Sequence, residues 1–206
     1  MYMPKPSADF VNAPEGTHPA RCYRVIDLGT QQEEYQGQTK LHRKILVSWE
    51  LHCEDRMEDG RPFTTGKKYT FSSHEKANLR RDLESWRGKK FEDSDFGPGG
   101  FHLSKLVGVP CLLNMTANES KGKTYVNVTA IMNVIKGMVV PPLVNEPVFL
   151  SLERDEWKPE VFNSLSDSLK EIIRKSPEYA ECVPEAIQQS YTAPADRNPV
   201  DDEIPF

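Results

Sequence analysis

A mainly β fold is predicted: a five-stranded barrel with one helix between its third and fourth strands and a helical extension after the last strand. Three observations predict it. Five segments are rich in β-formers or alternate apolar and polar residues with period two, and one stretch before the fourth carries apolar residues at helical spacing. The chain of 206 residues is 28% charged and holds sixteen prolines, which leaves room for one main domain with appendages.

Residues 1–19 contain four prolines among polar neighbours and form an irregular arm in this scheme. The first strand is expected over residues 20–28. The second, over 41–53, alternates clearly: Arg43, Ile45, Val47, Trp49 and Leu51 share one face, and Lys44, Leu46, Ser48, Glu50 and His52 the other. The polar connection 29–40 carries Tyr35 and Lys40 and is expected to be a mobile loop. Four carboxylates in residues 54–60 invite a metal or nuclease site. They sit consecutively beside an Asp-Gly turn signal, whereas catalytic metal carboxylates converge from separate elements, so a charged turn is expected. A third strand follows over 67–72, with Tyr69 and Phe71 opposite Lys68 and Thr70.

Residues 74–86 are the helix. Leu79, Leu83 and Trp86 fall on one stripe, Ser73 offers an N-cap and Gly88 a stop, and the stripe assigns Trp86 to the core. A short helical turn is expected over 101–106. The last two strands span 109–115 and 124–134. Between them, residues 117–124 mimic a phosphate-binding loop, but such a loop must lead into a helix, and strand sequence follows Thr124. A hairpin tipped by Lys121 and Lys123 and flanked by Tyr125 is expected instead.

Pro141, Pro142 and Pro147 mark a linker, and residues 157–175 place Phe162, Leu165, Leu169, Ile172 and Ile173 on one helical stripe. That stripe suits docking on the chain's own domain, or on a second copy in a homo-oligomer. The organisation is thus an arm (1–19), a barrel domain (20–140), a linker with a helical segment (141–190) and a flexible acidic tail (191–206). Strand order and helix position match the OB-fold.

Cys22, Cys53, Cys111 and Cys182 are scattered without a C-x-x-C pair, so free thiols are expected rather than a zinc set or disulfides. No apolar run suits a signal peptide or a membrane span, and a cytoplasmic, non-membrane protein is expected. No nucleophile–base pair or metal cluster is evident; no enzyme activity, cofactor or metal is assigned.

The net charge of −5 hides an asymmetry. Residues 151–206 hold 6 Lys and Arg against 13 Asp and Glu, while residues 61–90 hold nine basic side chains against three acidic ones. A basic patch in an acidic protein suits a polyanion, because phosphate neutralisation supplies sequence-independent affinity; a merely solvated face is the alternative. With aromatic rings to stack on bases, the candidate contacts are Tyr35, Lys40, Arg43 and Lys44, then Lys67, Lys68 and Tyr69, then Lys121, Lys123 and Tyr125.

The final six residues, Asp201-Asp202-Glu203-Ile204-Pro205-Phe206, join three carboxylates to an aliphatic residue, a stiffening proline and an aromatic anchor. Such a peptide suits a basic-rimmed apolar pocket on a partner. It resembles the acidic tip of bacterial single-stranded DNA-binding proteins. Residues 20–29 and 74–88 are similar to the longer single-stranded DNA-binding proteins of bacteriophages. The resemblance implies an OB-fold that coats single strands in phage replication, recombination and repair inside the bacterial host cytoplasm. It also implies that Asp201, Asp202, Glu203, Ile204, Pro205 and Phe206 recruit enzymes of those processes. A protein–protein adaptor with no nucleic-acid affinity is the alternative from another class.

Overall fold

The computed structural model describes residues 12–35, 37–120 and 122–183. In chain order it contains β1 (Gly16–Tyr35), β2 (Gln38–Leu51), β3 (Thr64–Thr70), α1 (Asn78–Arg87), β4 (Pro110–Ser120), β5 (Lys123–Met132), β6 (Val148–Leu150), α2 (Pro159–Ser164), α3 (Asp167–Arg174) and α4 (Pro177–Cys182). Two 3-10 turns, Asp93–Asp95 and Leu103–Leu106, lie between α1 and β4. The fold is mainly β. Five antiparallel strands run in the order β3-β2-β1-β4-β5, and β6 pairs parallel to β1. The edge strands β3 and β5 are not hydrogen-bonded neighbours, yet their Cα atoms come within 8 Å, and α1 lies against both.

β1 organises the sheet. Its residues Gly16–Arg21 pair with β4, and Ala20–Tyr35 pair with β2. Register shifts at Cys22/Arg24 and Asp27/Gly29 bend the strand, which is what bulges do. The strand starts four residues before the predicted one and runs seven residues past it. Residues 29–40, read from their polarity as a loop, are therefore mostly the two arms of a hairpin. Polarity misled because much of this hairpin meets solvent, so neither face of its outer arm needs apolar residues. Glu33 opposes Lys40 across the pair, and opposite charges at facing positions support a ladder without burial.

Both faces of the middle of β2 are covered. Ile45, Val47, Trp49 and Leu51 enter a core with Val25, Leu113, Ile131 and the α1 stripe of Leu79, Leu83 and Trp86. The Trp49 and Trp86 rings lie 6.0 Å apart, and the Trp86 indole donates to the Pro110 carbonyl. On the other face Leu46 joins Ile26 and Leu28 beneath Phe162, Leu165 and Ile173. The apolar stripe predicted over 157–175 thus packs on its own sheet, but as two helices. Ser166 breaks the helix, and α4 follows with Pro177 in its first turn. α1 is also shorter than predicted: it starts after Ala77, not Ser73, and ends at Gly88 as expected. Residues before Ala77 are drawn into side-chain turns, with the His74 ring accepting from the Lys76 N–H, and such local bonds compete with helix.

The proline-marked stretch after β5 is pinned rather than free, and it leads into β6, which was not foreseen. The Arg21 guanidinium donates to the carbonyls of Gly108, Val140 and Pro141. Glu50, fully buried, accepts from the backbone N–H groups of Val144 and Asn145 and from the Asn145 amide. The His52 ring is buried 3.4 Å from Glu50 with no hydrogen bond to its Nε2 among the described residues. Burial lowers the His52 pKa below 6.5, helped by Arg56 and Arg21 and opposed by Glu50. When a histidine's folded pKa is depressed, the unfolded chain takes up the proton first as pH falls. Stability from this group is therefore complete above pH 6.5 and is lost below it. Thermal melts between about pH 7.5 and 5.5 should show a steeper fall for the native chain than for His52→Gln. Parallel curves would contradict this account.

Candidate nucleic-acid interface

The period-two geometry of β2 and β3 gathers the basic residues. Lys44 pairs with Thr70 and Leu46 with Lys68, so both lysines leave the same side of the sheet. Beyond Thr70 the chain turns through residues 72–77 into α1, and the turn walls off a groove of about 520 Å³. Lys44, Lys67, Lys68, Thr70, His74 and Lys76 line it. Four ammonium groups around one groove create a positive potential that small anions or a phosphate chain would neutralise.

Two of the four are anchored. Lys44 Nζ sits 2.6 Å from Glu33 and donates to the Thr70 hydroxyl. Lys67 Nζ sits 2.7 Å from Asp82 and 5.3 Å from the centre of the Tyr69 ring. Lys68 and Lys76 are exposed and form no ion pair among the described residues. Among the described residues no carboxylate is paired with either charge.

Tyr69, a predicted stacking residue, is only 3% exposed. Its hydroxyl donates to Asp82, and burial together with that carboxylate raises its pKa. A ring packed this way belongs to the core and presents no free face to a base. Phe71 is the aromatic at the surface instead. Phe71 keeps the phase of Tyr69, with its N–H bonded to the Arg43 carbonyl, but it lies past the packed core on the wall of a second cavity and is 44% exposed, with the Arg43 guanidinium 5.5 Å from its ring centre.

Arg43 does not line the groove; with Phe71 it lines the second cavity. It forms an ion pair with Asp27, and although burial works against its charge, Asp27 raises its pKa. Lys40 is exposed on the hairpin arm. Tyr125 is 47% exposed on β5 and does not line the groove. Tyr35 and Lys123 lie in β1 and β5, with their side chains outside the described residues; Lys121 and residues 201–206 lie outside them altogether.

Four of the predicted contacts, Lys44, Lys67, Lys68 and Tyr69, therefore converge on one groove, three through their cations. Thr70, His74, Lys76 and Phe71 were missed. Lys76 was hidden by its assignment to a helix, and Phe71 by its shared phase with Tyr69. Among the described residues no group of three or more His, Cys, Asp and Glu side chains is placed to hold a metal ion, and no helix is long and apolar enough to cross a membrane. No known protein family matches the chain by its sequence profile, and no curated protein matches it.

Proposed function

We propose that this protein binds single-stranded DNA without catalysis and without sequence preference, in bacteriophage replication, recombination and repair. The observation that carries the proposal is the groove lined by Lys44, Lys67, Lys68 and Lys76, with the exposed ring of Phe71 in the adjoining cavity, between Thr70 and Ser72 of the groove. Lysines neutralise phosphates, and an exposed ring stacks on any base, whereas a paired duplex offers no free base face.

The strand order β3-β2-β1-β4-β5, the bent β1, the helix after β3 and the approach of β3 to β5 support a partly open OB barrel. OB-folds bind oligonucleotides on the face of their second and third strands, where this groove lies. Residues 201–206, by their resemblance to the tip of bacterial single-stranded DNA-binding proteins, would recruit replication, recombination and repair enzymes.

Fluorescence anisotropy with matched single-stranded DNA, duplex DNA and RNA, at about 50 and 200 mM salt, tests this. The single DNA strand should bind most tightly and weaken as salt rises. Equal binding of the duplex, or no binding of any strand at the lower salt, would reject it.

A further inference from the structure

The second cavity, about 850 Å³, shares Ser72 with the basic groove. Its volume lies in the range of ligand sites. Its floor is the mouth of the main core, with Val25 and Ile45 from the sheet and Leu79 and Leu83 from α1. Phe91, Phe96 and Phe101 form one wall, with the Phe91 ring centre 5.5 Å from that of Phe96 and 5.3 Å from that of Phe101, and Phe149 adds another ring. A tight turn holds that wall: the Phe101 N–H donates to the Asp95 carbonyl. A Cβ on Gly100 would stand 2.4 Å from the same carbonyl oxygen, so the turn closes only around glycine.

The rim has the opposite sign to the groove. Arg43 is held by Asp27, and Arg80 by Glu84 and the carbonyls of Ser73 and Phe91. Asp27 takes the Nε and Nη2 donors of Arg43, and Arg80 donates from Nε, Nη1 and Nη2. Among the described residues, Glu153 lies 3.9 Å from the Arg43 guanidinium that Asp27 already holds, Glu156 forms an ion pair only with the His102 ring, at 2.9 Å, and Asp155 forms none. Carboxylates on this rim would repel the phosphates of a nucleic-acid strand and attract cations.

We propose that this cavity docks a peptide segment of a partner protein, with an aromatic or large aliphatic side chain flanked by Lys or Arg. The apolar floor and phenylalanine wall take the anchor, and Glu153, Asp155 and Glu156 take the flanking cations. Two adjoining cavities thus accept ligands of opposite charge, so a basic segment is steered away from the lysine groove. Phe71, the ring proposed to stack on a base, also lines this cavity, so the peptide titration is run without DNA and oligo-dT is titrated separately.

The test is a titration of the isotope-labelled full chain, followed by amide resonances. The probes are a capped Lys-Leu-Trp-Leu-Lys peptide and a capped Glu-Leu-Trp-Leu-Glu control. The lysine peptide should shift the amides of Gly97, Gly99, Gly100 and Phe101 and those of residues 153–156, and the glutamate peptide should not. Glu153→Lys with Asp155→Lys, both exposed positions, should weaken the lysine peptide roughly tenfold while leaving core resonances in place. Equal binding of the two peptides, shifts confined to Lys68 and Lys76, or no shifts would overturn the proposal. So would shifts at Gly97 and Gly99 from oligo-dT, which would make the cavity a nucleobase pocket.

Discussion

Replacing Lys68 and Lys76 together by alanine is expected to weaken single-stranded DNA binding roughly 25-fold at about 0.1 M salt. The magnitude follows from counterion release. On a single strand each neutralised phosphate contributes a slope of about −0.7 in log affinity against log salt, or roughly a factor of five per contact at that concentration. The double variant should therefore also flatten the salt dependence by about 1.4. These two lysines are the informative pair because they are exposed and have no ion-pair partner among the described residues, so their loss leaves no orphaned carboxylate. Lys67→Ala would strand Asp82 and confuse binding with folding. The control is Lys89→Ala with Lys90→Ala, which removes the same net charge from exposed positions outside the groove. If both double variants weaken binding equally, net charge rather than the groove governs affinity. Phe71→Ala should cost about 1–3 kcal/mol of binding with little change in salt slope, because stacking releases no ions.

Gly29→Ala is expected to be the most destabilising small substitution in the fold, by roughly 2–5 kcal/mol. Gly29 has φ of 68° at the β1 bulge, and a Cβ there would lie 2.3 Å from the Ser176 side chain and 2.9 Å from Glu178. Neither neighbour can retreat. The Ser176 hydroxyl donates to the Ile173 carbonyl and accepts from the Tyr179 N–H, and Glu178 accepts from the Thr30 N–H and hydroxyl. The added methyl would therefore pry α3 and α4 from the sheet, and the melting temperature should fall by about 5–15 °C. Gly97→Ala separates the two contributions. Gly97 has φ of 79° but nothing within 4 Å of where a Cβ would stand, so its substitution carries the conformational cost alone, about 1–2 kcal/mol. Equal losses at the two sites would mean that α3 and α4 do not seat on Gly29.

Much of the fold was legible because its signals are local. Alternation in residues 41–53 sorted Ile45, Val47, Trp49 and Leu51 onto one face, and the structure buries that face. Spacing placed Leu79, Leu83 and Trp86 in the core and Gly88 at the helix end. The outer arm of the β1–β2 hairpin was not legible, since exposed strands need no apolar residues to form. β6 was also hidden: three residues carry no period, and their pairing partner is more than 120 residues away.

For the candidate site, the sequence by itself determined that the middle of the chain concentrates positive charge and that Lys44, Lys67 and Lys68 belong to neighbouring strands. Composition and a two-residue period need no knowledge of the rest of the chain. Only the tertiary structure decided which side chains are free. Tyr69 and Phe71 share a phase, yet one is sealed against Asp82 and the other stands at the surface, because the packed core beneath Tyr69 gives way to an open cavity at Phe71. It likewise set a lysine groove beside a carboxylate-rimmed cavity by bringing Glu153, Asp155 and Glu156 back across the sheet to the mouth that Arg43 guards. Burial and the sign of a surface depend on every element packed against a residue, and that information is spread over the whole chain.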